Sequence, residues 1–517
     1  MASYICWAKN SAGWIAARIP FVLGFVTLAL PALPLTAQSD KATFSFPERG
    51  GVSLTTLGAS SAVRVGHARI SNTGSAVPAG FAIFGLRQNN TLVSEATVPA
   101  ANLVSEGRIY AEIGGGVNTG IAISNENNQP VQIAYYFTDS TGARFGSNVI
   151  TIPAKGQIAK FLSEAPFNVS ALLGTFTFFI LRSAPDQTVG AIALRGFTNE
   201  RGEFLMTTLP VTPLGQRGLY SGNMIPHFAS GGGWTTQIVL LNPTDTELDG
   251  QVSFIDQSGL PDVIGSESGS NSSFSYRVAP RSSWRLRTSN TGALHVGSVR
   301  LSSSVDGADI PIGFLIFSFQ TAGVRVSESG VPPVRPAAVS RMFVEASGQF
   351  NSGQPGSLQT GIAISNADST IPVHVSLDLT TLDGTPRGLT GSLDIPAGGQ
   401  TAKFLTQIPG FESLPTQFQG VLRISSPGSP VSVIGIRGRY NERGDFLDAT
   451  IPAMNENDDY FAFSLRYSDF VFPDFADGAG YTTQFVLFSG WTAGSAAGTL
   501  QFLTNAGDAF PLTLQVR

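Results

Sequence analysis

The sequence predicts an all-β chain of tandem antiparallel β-sandwiches, about four units in series. Three observations carry the prediction. One short skeleton recurs along the chain. The composition joins many Val, Ile, Thr and Phe to 58 glycines and 31 prolines, which suits short strands and frequent turns. Apolar and polar residues alternate in Gln132-Ile133-Ala134-Tyr135-Tyr136-Phe137, Gln251-Val252-Ser253-Phe254 and His374-Val375-Ser376-Leu377, putting one face on a core and one in water.

The skeleton is clearest at 119–142, TGIAISNENNQPVQIAYYFTDSTG. An alternating strand closes on Asn125, a polar turn follows, and a second alternating strand closes on Asp139 before Gly142. Residues 236–259 repeat it, with Asn242, Asp256 and Gly259 at the same spacing. It returns at 360–384 and, degraded, at 483–507. Such self-similarity marks an array of supersecondary units. At 517 residues the chain has room for several domains, and 42% hydrophobic against 13% charged residues excludes disorder.

Residues 1–37 read as a secretory signal. Lys9 and Arg18 precede an apolar run at 21–30, then come Pro31, Pro34 and a small residue, Ala37, at the cleavage position. The run is short for a membrane helix, which needs roughly 20 residues. Removing the segment takes away two basic residues and no acid, moving the formal net charge from −5 to −7. No basic patch stands out, so nucleic acid is not an expected partner. The one cysteine, Cys6, falls inside the signal, so the mature chain is held by its cores alone. The expected location is secreted, periplasmic or cell surface, with no membrane span in the mature chain.

From Lys41 the chain divides into 41–105, 106–215, 216–338, 339–458 and 459–517. Units 106–215 and 339–458 are type A: they open with TGIAISN, continue with Ile152-Pro153-Ala154 or Ile395-Pro396-Ala397, and close on an Arg-Gly-x-x-Asn-Glu-Arg-Gly hairpin at 195–202 and 437–444. Unit 216–338 is type B, from Phe228 and Trp234 to Gly313-Phe314-Leu315-Ile316-Phe317. Pro-rich joints at 209–226, 331–336 and 451–459 separate them. The ends are half-units. Phe44-Ser45-Phe46 matches Phe274-Ser275-Tyr276, and 473–481 matches 226–234. The two halves complement each other, so the expectation is one B-type sandwich assembled from both termini, closing a ring. The alternative is that each half pairs with its sequence neighbour. Helical signal is confined to 156–164 and 399–405, read as one or two turns.

Each complete unit is expected to hold about seven strands in roughly 110 residues. On the repeated φ-x-φ-x-Asn…Asp-x-x-Gly pattern, the units resemble the tandem immunoglobulin-like or fibronectin type III-like sandwich modules of bacterial secreted and surface proteins. A β-propeller is the alternative fold, because propellers also split one blade between the termini.

Gly-rich loops precede the first clear strand of several units: 114–116, Gly231, Gly232 and Gly233, and 478–480. As ligand loops they would offer Trp234 and Tyr481 as aromatic contacts. A tight turn needing positive φ explains the same glycines. They carry no Lys-Ser/Thr and open no helix, which excludes a phosphate cradle. Asn125, Asn242 and Asn366, with Asp139, Asp256 and Asp383, read as side chains bonded to their own turns. The Asn-Glu-Arg-Gly tips read as solvated turns with Gly202 and Gly444 left-handed. His67, His227, His295 and His374 lack metal-ligand spacing. Residues 455–459 cluster oxygen ligands, but in a joint, and read as a solvated linker.

The function expected is a non-catalytic, exported structural or adhesion protein without a cofactor. Its binding residues would be Trp234, Tyr481, Gly231, Gly232 and Gly233, and its ligand a cell-surface glycan, polymer or protein. The rival is a polysaccharide-acting hydrolase with a carboxylate pair, whose acids should break the repeat in one unit. A third reading is a piece of a larger surface array.

Overall fold

The computed structural model describes residues 38–181, 187–214, 224–456, 469–490 and 494–516. The secretory signal expected at 1–37 lies outside them, as do parts of the joints and residues 457–459 of the oxygen-rich cluster. Among the described residues the chain is antiparallel sheet throughout, with two short 3-10 turns at Phe350–Ser352 and Leu405–Gln407. Among the same residues no sheet closes into a barrel, and no helix is long and apolar enough to cross a membrane.

The intact B-type module shows the plan. Its main strands in chain order are Met224–Ser230, Trp234–Leu241, Leu248–Asp256, Ser273–Val278, Ser283–Arg287, His295–Ser303, Ile312–Thr321 and Val324–Val331. The first, sixth, third and fourth make one sheet; the fifth, second, seventh and eighth make the other. There are thus eight main strands rather than about seven. The seventh lies beside the second, not the sixth, an order distinct from the ABED and CFG sheets of an immunoglobulin domain. The A-type modules keep the same order, from Glu106–Gly114 to Phe204–Leu209 and from Val339–Ser347 to Phe446–Ile451.

The fourth module draws on both chain ends. Asp469–Asp477, Tyr481–Phe488 and Ala496–Thr504 take its first three places; Lys41–Phe46, Gly51–Thr56, Arg64–Asn72, Ala79–Gln88 and Thr91–Pro99 take the other five. Phe44 lies opposite Gly498, and the Phe502 N–H donates to the Asp40 carbonyl at 2.8 Å. Phe472, Phe485 and Phe502 share one core with Phe44, Leu54 and Phe84. Each end supplies strands whose apolar faces the other covers, which removes open edges.

Every core also takes in a neighbour. Val239, Phe314 and Ile316 of the B-type module enter the core of the first A-type module. Ala363 and Ile434 of the second A-type module enter that of the B-type. Phe81 and Phe488 of the split module enter that of the second A-type, and Ala122, Ile192 and Met206 of the first A-type enter the split module's. The contacts run in a closed cycle. The skeleton's glycines mark each step: Gly142 sits on Ala279 and Pro280, Gly259 on Ala397, Gly384 on Pro47 and Gly507 on Ala154. A Cβ on Gly259, at φ +88°, would lie 2.1 Å from the Ala397 carbonyl oxygen. The recurring Asp-x-x-Gly is therefore a docking turn. Asp256 holds its shape by accepting from the N–H groups of Ser258 and Leu260. Buried Asn242 accepts from Thr244 N–H at 2.8 Å and donates to the carbonyls of Thr246, Val278 and Ala279.

The eighth strands, Thr91–Pro99, Phe204–Leu209, Val324–Val331 and Phe446–Ile451, meet at the centre of the cycle. Met206 N–H donates to Ser94 Oγ and Asp448 N–H to Ser327 Oγ, each at 2.8 Å. Beside them, Arg195 bridges Glu112 at 2.5 Å and Glu328 at 3.2 Å, while Arg437 bridges Glu345 at 2.6 Å and Glu95. Both guanidiniums are fully buried, and each ties its A-type module to a neighbour. Against the push of burial, Arg195 and Arg285 hold the Glu112 carboxyl below its ordinary value, and Arg437 does the same for Glu345.

Two local expectations need correction. Residues 157–161 and 400–404 are strands, not helical turns, because their N–H and C=O groups pair with Val117–Asn125 and Leu358–Asn366. The Asn-Glu-Arg-Gly tips are not simply solvated. Asn199 keeps the expected turn, with Gly202 at φ +73°, but its Nδ2 donates to the Arg325 carbonyl at 2.9 Å. Asn441 does the same to Leu92 at 3.0 Å. The two tips also clasp each other, Arg201 to Asp445 at 2.8 Å and Arg443 to Glu203 at 2.5 Å.

Candidate functional site

Trp234 opens the second strand of the B-type module, directly after the Gly-rich turn. Gly231, Gly232 and Gly233 all have positive φ, and Gly231 and Trp234 exchange backbone hydrogen bonds at 3.0 Å. A Cβ on Gly231 would lie 2.0 Å from the Ala293 carbonyl oxygen. The turn thus needs glycine for its geometry, and its three residues do not line the cavity beside them. Trp234 does. Its ring stacks at 4.7 Å and 33° on Phe319 and meets Phe317 and Phe446 edge-on at 6.4 and 6.1 Å.

The cavity lies between the B-type and second A-type modules and holds about 330 Å³. Trp234, Phe317, Phe404 and Phe446 give it aromatic walls; His227, Lys403 and Asp448 are its ionisable groups. His227 Nδ1 accepts from Gln400 Nε2 across the module boundary at 3.0 Å. Burial holds its imidazole down at about 4, so it is neutral at pH 7. Asp448 is 2% exposed. Ser329 Oγ donates to its Oδ2, and its Oδ1 has no hydrogen-bond partner. Burial raises its carboxyl above the ordinary range.

Tyr481 holds the matching place in the split module, against the first A-type module. There Asp474 replaces His227 and Met206 replaces Asp448. Gln157 Nε2 donates to Asp474 Oδ1 at 3.1 Å, and burial pushes that carboxyl up to about 7. Tyr481 is partly buried against the same core that takes in Met206.

The structure therefore separates the proposed binding residues: the two aromatics serve two equivalent boundaries, and the glycines shape turns. Sequence reasoning missed Asp448, His227 and Phe446. Setting Phe446-Leu447-Asp448 beside Phe204-Leu205-Met206 reveals the departure. Elsewhere several acids are engaged. Glu456 of the oxygen-rich cluster pairs with Arg341 and Arg423. His295 lies 2.9 Å from Asp262 and His374 2.7 Å from Asp394. No three metal-ligating side chains gather among the described residues.

No known protein family matches the chain, and no curated protein does. Among solved structures, infectious bursal disease virus, Gx strain, aligns over 81% of this chain and 82% of that chain at 10% identity and a TM-score of 0.12. A GH78 family rhamnosidase of Bacillus sp. GL1 aligns over 75% and 55%, at 8% identity and a TM-score of 0.12. Similarity this weak carries no argument about fold or function.

Proposed function

We propose that this chain is an exported, non-catalytic binding protein built of two-sheet antiparallel modules that share the sandwich architecture, though not the strand order, of the immunoglobulin-like and fibronectin type III-like repeats of secreted and surface proteins. The aromatic cavity at Trp234 carries the reading. It is concave, largely apolar and provided with a few polar groups, as ligand sites commonly are. The buried glutamates favour binding over hydrolysis, since Arg195 and Arg437 hold Glu112, Glu328, Glu345 and Glu95, and Arg341 and Arg423 hold Glu456, as ion-pair partners. A glycan, polymer or protein of the cell surface is the class of ligand to screen.

The test is a set of glycan-array, polymer and pull-down screens on the purified chain, with Trp234→Ala alongside. The expected result is a ligand retained by the wild type, lost in Trp234→Ala, and released unaltered. Turnover of a retained glycan or peptide would overturn the non-catalytic claim. Absence of any retained ligand would remove the binding claim.

A further inference from the structure

We infer that the cavity at Trp234 takes an organic ammonium: a ligand with an apolar or aromatic body and a positively charged nitrogen directed at Asp448. This deepens the binding reading and rests on it. The first ground is Asp448 itself. A carboxyl oxygen buried without a partner is costly in a folded protein. Here one oxygen takes the Ser329 hydroxyl, the other, Oδ1, has no hydrogen-bond donor, and Asp448 is among the residues that line the cavity. An N–H⁺ donor supplies both the missing hydrogen bond and the opposite charge.

The second ground is the repeat. At the equivalent boundary Met206 replaces Asp448, and Ala96 replaces Ser329. The fold therefore closes with an apolar pair at this place. The carboxyl and its supporting hydroxyl depart together from that pattern, at the boundary where the Trp234 cavity lies.

The third ground is the walls. Trp234, Phe317, Phe404 and Phe446 present ring faces and edges, and ring faces attract cations, tryptophan most strongly. His227 is neutral and does not compete. Lys403 is the fixed cation of the lining; it is half-buried, and its flexible stem lets the ammonium reach water. A volume of about 330 Å³ fits a small organic group, as a free molecule or as one end of a larger ligand.

The experiment titrates the purified chain with three probes of one shape: phenethylamine, phenethyl alcohol and hydrocinnamate, followed by calorimetry. The expected order is amine tighter than alcohol by about tenfold, with hydrocinnamate weakest. Asp448→Asn should erase the preference for the amine. Asp448→Met, the side chain the fold accepts at Met206, should erase it while keeping the melting temperature. Equal binding of amine and alcohol, tighter binding of hydrocinnamate, an unchanged amine preference in both variants, or no binding of the amine would each overturn the inference. If the screens still retain a ligand that Trp234→Ala loses, the binding reading stands and only the ligand class falls.

Discussion

The two boundaries at which a B-type module meets an A-type module's fifth strand are built alike and finished differently. At both, a glutamine opening that strand reaches across to a buried titratable side chain, Gln400 to His227 and Gln157 to Asp474. At both, a serine of one eighth strand receives a backbone N–H of the other. Beyond that they diverge. One boundary carries Trp234, His227 and Asp448 around a cavity; the other carries Tyr481, Asp474 and Met206. The recurring residues are those that hold modules together, and the departures gather where a ligand would sit. Internal repeats thus supply their own control: the second copy shows what the scaffold requires.

The largest expected effect is at the buried arginines. Arg437→Ala leaves Glu345 with a hydrogen bond from Gln419 and only the longer-range charge of Arg439, whereas Glu95 keeps Arg439 at 3.2 Å. The loss should be about 3–5 kcal/mol, as for a broken buried pair. Arg195→Ala should cost less, because Glu112 keeps Arg285 and Glu328 keeps Arg325. Denaturant unfolding of both variants checks the order; equal losses would mean the two centres do not differ as their partners imply.

Next is pH. The Asp474 carboxyl, raised by burial to about 7, binds a proton in the folded chain that the unfolded chain has lost above its ordinary value near 3.8. Its contribution is complete below that value and disappears as pH rises through about 7. His227, lowered by burial to about 4, behaves oppositely: its contribution is present above 6.5 and disappears as pH falls through about 4. His67, in the split module, is lowered in the same way. Between these limits Asp474→Asn should remove a fall in stability with rising pH, and His227→Gln should remove a rise. Melting temperatures across that window decide; parallel profiles in wild type and both variants would contradict the assignment.

The smallest effects separate docking turns from free ones. Gly259→Ala places a methyl against the Ala397 carbonyl in a left-handed turn and should cost about 2–4 kcal/mol. Gly202→Ala, also left-handed but with nothing within 4 Å, should cost about 1 kcal/mol. Equal costs would show that Gly259 answers only to its own φ.

The sequence made the skeleton legible because Asn125, Asn242 and Asn366 each accept an N–H within their own turn, and that local half of their bonding leaves a local pattern; the other half, to carbonyls near Pro153, Ala279 and Pro396, does not. It also exposed the complementary ends, since Phe44-Ser45-Phe46 and Phe274-Ser275-Tyr276 fill the same strand of two modules. What stayed hidden depends on neighbours. Gly-Gln-Thr-Ala-Lys-Phe has helical composition, yet an adjacent strand recruits it as an edge. The charged tips at Asn199 and Asn441 look solvated until the cycle brings them together. Asp448 is one residue in an ordinary strand, and only tertiary packing places it among aromatic rings.

The account rests on the two chain ends forming one module. Amide hydrogen exchange on a chain lacking residues 459–517 tests this most directly. The deletion removes both strands that flank Arg64–Asn72 and one of the two that flank Ala79–Gln88, so both should lose protection, the first more than the second, while Val117–Asn125 and Leu358–Asn366 retain most of theirs. If residues 64–72 and 79–88 stay protected after the deletion, the N-terminal strands fold without the C-terminal ones, and the split module is wrong.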